Sequence, residues 1–237
     1  MIMESNISNI DFQDFYDMIT DLGENVKFKL DDGREINTKC AIVPQHKKVN
    51  SDGVYQKYGN MIFPEGYAQQ ELLWGEYFER ESVPNGTKSI LRGISNEVIC
   101  NGKIGTVYVA ECNETVDIVS YFESETNTET GDTEETPVYA YKNIPVYMKM
   151  ETREQTSTQM GSVIQTSTIL IIPAKYNLSV NNVILKDNFI WDSENKKNIW
   201  AKTRYKVESI DTSMMSYNSE TRQFKGVLTC LLSEDKR

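Results

Sequence analysis

Histidine is almost absent from this chain. His46 is the only one in 237 residues, beside Lys47 and Lys48 in a stretch after Pro44 that reads as a loop. A Ser-His-Asp or Cys-His arrangement would have to use that one imidazole. No partner for it is signposted, so a solvent-exposed side chain is the preferred reading. Cysteine is scarce too: Cys40, Cys100, Cys112 and Cys230 form no CxxC pair, and a zinc site would need distant residues to converge. They read as buried, reduced thiols in strands, and no metal is expected. Neither GxxxxGK[ST] nor a strand-led GxGxxG occurs, and there is no GxSxG elbow. The expectation is a β-rich structural or interaction protein that is not an enzyme and carries no cofactor.

Cations never cluster. The net charge is -10 and the pI about 4.8, and phosphate-backbone binding needs clustered Lys and Arg to release counterions. Nucleic-acid binding is therefore not expected as the main task, nor docking on anionic lipid. Long apolar runs are missing as well, since Ile169 to Pro173 is the longest and is far too short to span a bilayer. The start, Met1-Ile-Met-Glu-Ser-Asn6, lacks a basic region followed by an apolar run, so synthesis in a cytoplasm is expected. On that basis the Asn-x-Ser/Thr triplets at Asn6, Asn85, Asn113 and Asn177 read as chance.

What is present is β-forming. The chain is 39% hydrophobic, with 13 Tyr, 8 Phe and 3 Trp among many Val, Ile and Thr. One helix stands out, with Phe12, Phe15, Tyr16, Ile19 and Leu22 spaced by three and four, Asn9 or Asp11 as cap and Gly23 as stop. The period then becomes two. Val26 to Leu30, the turn at Asp31-Asp-Gly33 and Ile36 to Val43 read as a hairpin closed by Pro44. Gln45 to Tyr67 reads as a long turn-rich excursion. Glu71 to Arg80 fits a strand or a short helix. Glu97 to Cys100 and Thr106 to Glu111 flank a turn at Asn101-Gly-Lys103. Val116 to Phe122, Val138 to Met150, Ser167 to Pro173, Val183 to Trp191, Trp200 to Ile210 and Gly226 to Leu232 are further strands, the third of these the most strongly buried and the fourth and fifth paired around a turn at Asp192 to Asn198.

This predicts a mainly β fold: small antiparallel β-barrel or sandwich modules with long loops and one N-terminal helix. Each half runs hairpin, excursion, hairpin, although the residues do not align convincingly. The predicted modules are 1–112, with the helix, and 113–237. Two segments between strands are candidate interface loops. Glu123 to Thr136 carries Glu123, Glu125, Glu129, Asp132, Glu134 and Glu135; it suits a hairpin tip better than a linker, because strands of similar length flank it. Gln155 to Thr166, with Gln155, Gln159, Gly161 and Gln165, reads as a flexible loop.

Glu76, Glu79 and Glu81 lie among Trp74, Tyr77 and Phe78, the most carbohydrate-like cluster in the chain. A half-buried strand with a charged outer face explains them better than a glycosidase pair. Asp31-Asp-Gly33 and Asp132 to Glu135 lack the ligand spacing of a calcium loop.

The order of features in the second half is more informative. Val116-Asp-Ile-Val-Ser-Tyr-Phe122 leads into Tyr141-Lys-Asn-Ile-Pro-Val-Tyr147. Then follow Thr168-Ile-Leu-Ile-Ile-Pro173, Val183-Ile-Leu-Lys-Asp-Asn188 and Tyr205-Lys-Val-Glu-Ser-Ile-Asp211. This resembles the head-closure (stopper) and related neck proteins of tailed bacteriophages, in which a small β-barrel carries long loops with a "TVxxxIP" strand, a "GDxI" turn and a terminal "YxVxSVD" strand. Asn188 stands where that family often has Gly-Asp. The resemblance covers about half the chain. It implies a virion protein made in the host bacterial cytoplasm and assembled as a cyclic, hexameric ring between the portal or adaptor and the tail-completion or tail-tube proteins. Packaged DNA would pass through the channel without sequence-specific binding, and no membrane would be involved. The alternative is a tail or baseplate adaptor that binds other tail proteins or a receptor through exposed Trp74, Tyr77 and Phe78. A cell-wall hydrolase is a third possibility and would need converging carboxylates or a metal.

Overall fold

The computed structural model describes residues 12–49, 55–63, 73–83, 86–100, 104–126, 128, 131, 133–157, 161–192, 195–219 and 222–235. The helix α1 spans Phe12–Leu22 and packs against the strands that follow. Ile19 is its fully buried residue, whereas Leu22, expected on the apolar stripe, is exposed. The helix stops one residue later: the Gly23 N–H bonds the Ile19 carbonyl at 2.9 Å, and a Cβ at Gly23 would sit 2.3 Å from that oxygen. The expected caps Asn9 and Asp11 lie outside the described residues.

The chain divides into two compact units, Met1–Glu111 with Ser216–Gly226, and Cys112–Met215 with Val227–Arg237. The sequence reading kept 113–237 together. The structure instead assigns Cys112 to the second unit and Ser216–Gly226 to the first. A close backbone approach accounts for the latter: Gly226 donates to the Trp74 carbonyl at 3.2 Å, and a Cβ on Gly75 (φ 81) would lie 2.1 Å from the Gly226 oxygen.

In the first unit, β1 (Glu24–Lys29), β2 (Glu35–Val49), β3 (Tyr55–Ile62), β4 (Tyr77–Arg80), β5 (Lys88–Cys100) and β6 (Ile104–Glu111) close into a barrel in the order β1-β2-β3-β6-β5-β4. Pro44 does not end β2, contrary to expectation. It faces Lys57, and the ladder shifts register between Pro44 and Val49, because a bulge tolerates the missing N–H. Much of the expected excursion is therefore hairpin. The turn at Asn101-Gly-Lys103 falls outside the described residues. Phe28, Phe63, Phe78, Met61, Leu73 and Leu91 fill the core, with the Phe28 and Phe78 rings 5.1 Å apart.

The second unit is built on β7 (Glu114–Thr126), β8 (Thr133–Ser157), β9 (Gly161–Pro173), β10 (Val183–Asp192), β11 (Lys197–Asp211) and β13 (Gln223–Glu234), although Gln223–Gly226 of β13 and Ser216–Asn218 of β12 (Met215–Asn218) fall in the first unit. Its sheet runs β11-β10-β7-β8-β9-β13-β12, and β11 also pairs with β13. That extra pairing closes six strands into a ring, β7-β8-β9-β13-β11-β10. The ladder of β8 with β7 shifts at Lys142 and Asn143 and again at Ala140, whereas the expected bulge at Pro145 is absent, Pro145 facing Thr115 in register. Asn143, with φ 56, turns its N–H to Asp117 Oδ1 at 2.9 Å.

In chain order the two rings have the same connectivity, and a register match is found in every strand pairing around them, although the second ring's β7–β8 ladder shifts beyond Val116 where β1–β2 does not. Glu24↔Cys40 in one corresponds to Glu114↔Val146 in the other. Phe28↔Phe78 corresponds to Ile118↔Ile184, Tyr77↔Ile90 to Val183↔Lys206, and Lys57↔Val109 to Thr168↔Leu232. The bulge between Leu91 and Gly93 recurs between Val207 and Ser209. The turn entering the fourth strand recurs as well. Gly75 donates to Leu91 O at 2.9 Å and Asn181 to Val207 O at 2.8 Å, both at positive φ. Closing a barrel couples register to stagger, so these matching registers give two barrels of similar stagger, with the bulges placed differently. The same positions are buried in each, including Val26 and Val116, Phe78 and Ile184, and Leu91 and Val207.

Candidate functional site

Cys40 and Cys230 are fully buried. Their counterparts in the other barrel are Val146 and Val107, so a thiol stands where the same geometry elsewhere takes an apolar side chain. Burial pushes both thiols up to about 12, far from the thiolate a nucleophile needs. His46 lies within β2, and its side chain is outside the described residues.

The acidic trio is structural. Glu76 is 3% exposed and pairs with Lys225 at 3.0 Å, while Glu81 accepts from Asn25 Nδ2 at 2.7 Å. Phe78 is 1% exposed, and the Trp74 indole N–H is spent on the Arg92 carbonyl at 2.8 Å. The aromatic platform expected at Trp74, Tyr77 and Phe78 is therefore not a surface: β4 turns Phe78 into the barrel. Among the described residues, no group of three or more His, Cys, Asp or Glu is placed to hold a metal ion, and no helix is long and apolar enough to cross a membrane.

The two barrels share an ion pair. Arg80 Nε donates to Glu24 Oε1 at 2.7 Å, and at the counterpart positions Lys186 Nζ meets Glu114 at 2.9 Å. Partial burial works against ionisation of Glu24, but hydrogen bonds from Ser82 and Arg80, with the guanidinium charge, outweigh it and hold the carboxyl below its ordinary value. Burial likewise opposes ionisation of Asp117. Lys202 and the Asn143 N–H overcome it and lower that carboxyl too.

Both segments expected as loops are paired strands. Glu123 faces Thr136, Ser124 faces Glu135 and Glu125 faces Glu134, so the acidic hairpin is ladder as far as Thr126 and Thr133. Glu123, Glu125, Glu134 and Glu135 are all exposed. Glu135 reaches Arg204 at 3.2 Å, whose guanidinium lies 4.0 Å from the Phe122 ring centroid. Glu129 and Asp132 lie outside the described residues. Within Gln155 to Thr166, the described residues 155–157 and 161–166 are ladder rather than flexible loop: Gln155 faces Val163, Arg153 faces Gln165, and Ser157 faces Gly161, where β9 begins. Gln159 lies outside the described residues. Thr152, Thr156, Val163, Ile164 and Thr166 favour extended backbone, and a two-sided ribbon can carry polar side chains without ceasing to be a strand.

The β10–β11 ribbon is the strand pair expected from Val183 to Ile210; what sequence reasoning missed is how far it stands clear of the other strands and how exposed its aromatics are. Its register is continuous from Val183↔Lys206 to Asp192↔Lys197. β10 meets β7 only over Val183–Leu185, and β11 meets β13 only from Tyr205 onward. Beyond those points Phe189, Trp191 and Trp200 lie on one face, 59%, 61% and 72% exposed, with the Phe189 and Trp200 rings 5.3 Å apart. Two of the three tryptophans in the chain are thus on the surface. The signal was legible as Phe-Ile-Trp followed by Ile-Trp across a short polar turn, but strand propensity alone does not distinguish exposed from buried aromatics.

No family model, curated protein or solved structure matches the chain.

Proposed function

We propose that this chain is a non-catalytic structural protein of a tailed-phage virion, a ring-forming subunit of the neck that joins head to tail and lines the DNA channel. The observation that carries the reading is a pair of closed barrels from which paired ribbons project. Such a scaffold is rigid where the strands close on themselves and offers main-chain edges and side chains to neighbours where they do not. The resemblance of 116–232 to head-closure proteins supplies the position. An acidic surface, with Glu123, Glu125 and Glu134 exposed on one ribbon, repels DNA passing close by and does not bind it. The adaptor alternative loses its named surface, since Phe78 is inside the barrel.

Quantitative peptide mass spectrometry on purified particles tests the reading. A small fixed ratio to the major capsid protein is expected, and removing 126–135 should leave a folded protein but stop heads joining tails. Clear absence from particles that are otherwise complete would overturn it.

A further inference from the structure

The two barrels provide an internal control. In the first, the connection from Arg80 to Lys88 is 81–87; in the second, the connection between the counterparts Lys186 and Arg204 is 187–203. The barrel closes with the same register either way, so the extra length is not needed for closure. It holds the exposed aromatic band, which on side-chain areas of ~200 Å² each amounts to roughly 400 Å² of apolar surface. Patches of that size on soluble proteins commonly mark binding sites.

We propose that this ribbon is the contact by which copies of the chain join, the β10 edge of one copy pairing with the β11 edge of the next. Among the described residues, the outer edges carry no further strand, β10 from Lys186 to Trp191 and β11 from Lys197 to Thr203. Neither stretch contains a proline or a bulge, two of the devices that blunt an open edge, and of the lysines there, whose charge is a third such device, Lys186 and Lys202 are turned to Glu114 and Asp117 of the same chain. The edges belong to different strands on opposite sides of the ribbon, so a β11-to-β10 junction continues the antiparallel alternation and repeats head to tail, the pattern that closes into a ring. Each junction sets Trp200 of one copy beside Phe189 or Trp191 of the next, the kind of aromatic cross-strand pair that stabilises sheets. A bilayer is the poorer occupant. The turn Asp192-Ser-Glu-Asn-Lys-Lys197 is charged, and Asn195 and Asp192 bond each other across it at 2.6 Å, so the end that would enter lipid first is its most polar part. The pairing names the contact for the ring-forming reading and rests on it for closure, whereas the ribbon and its open edges stand on the structure alone.

Sedimentation velocity on the purified full chain, up to ~0.5 mM to reach weak affinities, tests it with two variants. One is Trp200→Ser. The other replaces 187–203 with the sequence of 81–87, and circular dichroism reports whether it folds; if it does not, Trp200→Ser carries the result. The mass of the wild type should rise with concentration to a multiple of 27.2 kDa. Trp200→Ser should weaken association about ten-fold or more, as loss of a tryptophan anchor does, and the shortened ribbon should remain a monomer. A wild type that stays at 27.2 kDa throughout, or variants that associate as the wild type does, would overturn the proposal. So would flotation with phosphatidylserine vesicles that both variants lose, which would assign the band to a membrane. Particle mass spectrometry decides the virion reading separately.

Discussion

At Gly75 the first barrel admits the backbone of Gly226, whereas at the counterpart Asn181 the second carries a side chain. Both residues hold positive φ and make the same hydrogen bond to the fifth strand of their ring. The turn itself is therefore common to both barrels, and what differs is whether a further segment is allowed against it. Asn tolerates the left-handed conformation through local side-chain hydrogen bonding, but only Gly also leaves room for another chain segment. One connectivity has been finished in two ways, by docking at the first barrel and by an extended aromatic ribbon at the second.

The comparison breaks most sharply at that glycine. Gly75→Ala should cost about 3 kcal/mol or more, because it adds a backbone clash to an unfavourable φ. Asn181→Ala should cost only about 1 kcal/mol, the penalty of the left-handed region alone. Urea unfolding of both variants measures the difference, and equal losses would mean that the approach of Gly226 contributes nothing.

The shared ion pair gives the next largest effect. Arg80 and Glu24 are the more enclosed pair, with side chains 11% and 17% exposed against 16% and 35% for Lys186 and Glu114. Arg80→Ala should cost roughly 1–2 kcal/mol, as loss of a charged hydrogen bond does, and Lys186→Ala about 0.5 kcal/mol. The Glu24 carboxyl is depressed in the folded state, so its stabilisation is present above its ordinary value of 4.5 and disappears as pH falls through the lower folded value. The gap between wild type and Arg80→Ala should therefore be full at pH 7 and narrow below that range. A gap that does not change with pH would point to lost packing of the arginine stem instead.

The sequence carried different parts of this fold unequally. Ser167 to Pro173 was legible because Ile169 to Ile172 is an unbroken apolar run, buried throughout in β9. The hairpin around Glu123 to Thr136 was legible from the strands that flank it, though its ladder runs further than a tip; the strand pairing within Gln155 to Thr166 was not, because that stretch is polar and polarity alone does not separate a loop from a ladder. Among the candidate interface residues, Glu135 has a partner in the structure and Gly161 begins a strand, but no composition pattern announces either. The repeat was hidden for a related reason. Barrel geometry is set by main-chain register, and counterparts such as Ser89 and Tyr205, or Cys40 and Val146, share burial without sharing identity.

That exchange of identities predicts a small effect. Cys40→Val and Cys230→Val each put into one barrel the residue the other already uses, and should cost under about 1.5 kcal/mol, as shape-conserving core changes do. Thermal unfolding checks this, and a larger loss would show that the two cores differ in detail. Smallest of all is Glu134→Lys. It converts the like-charged cross-strand pair with Glu125 into an attractive one and should stabilise the hairpin by roughly 0.5 kcal/mol. Amide exchange along the ribbon would detect it, and unchanged protection would mean that solvent screens the pair fully.

The salt bridge between Glu76 and Lys225 spans a sequence separation of 149 residues. Translation is vectorial, and N-terminal segments begin to fold while the rest of the chain is still being made. All six strands of the first barrel leave the ribosome long before Lys225 and Gly226 exist. During that interval the nascent barrel has a bare glycine notch and lacks the lysine that Glu76 meets in the finished fold. Its maturation waits for Lys225 and Gly226, so a translation product truncated before them would display a barrel with that notch unfilled.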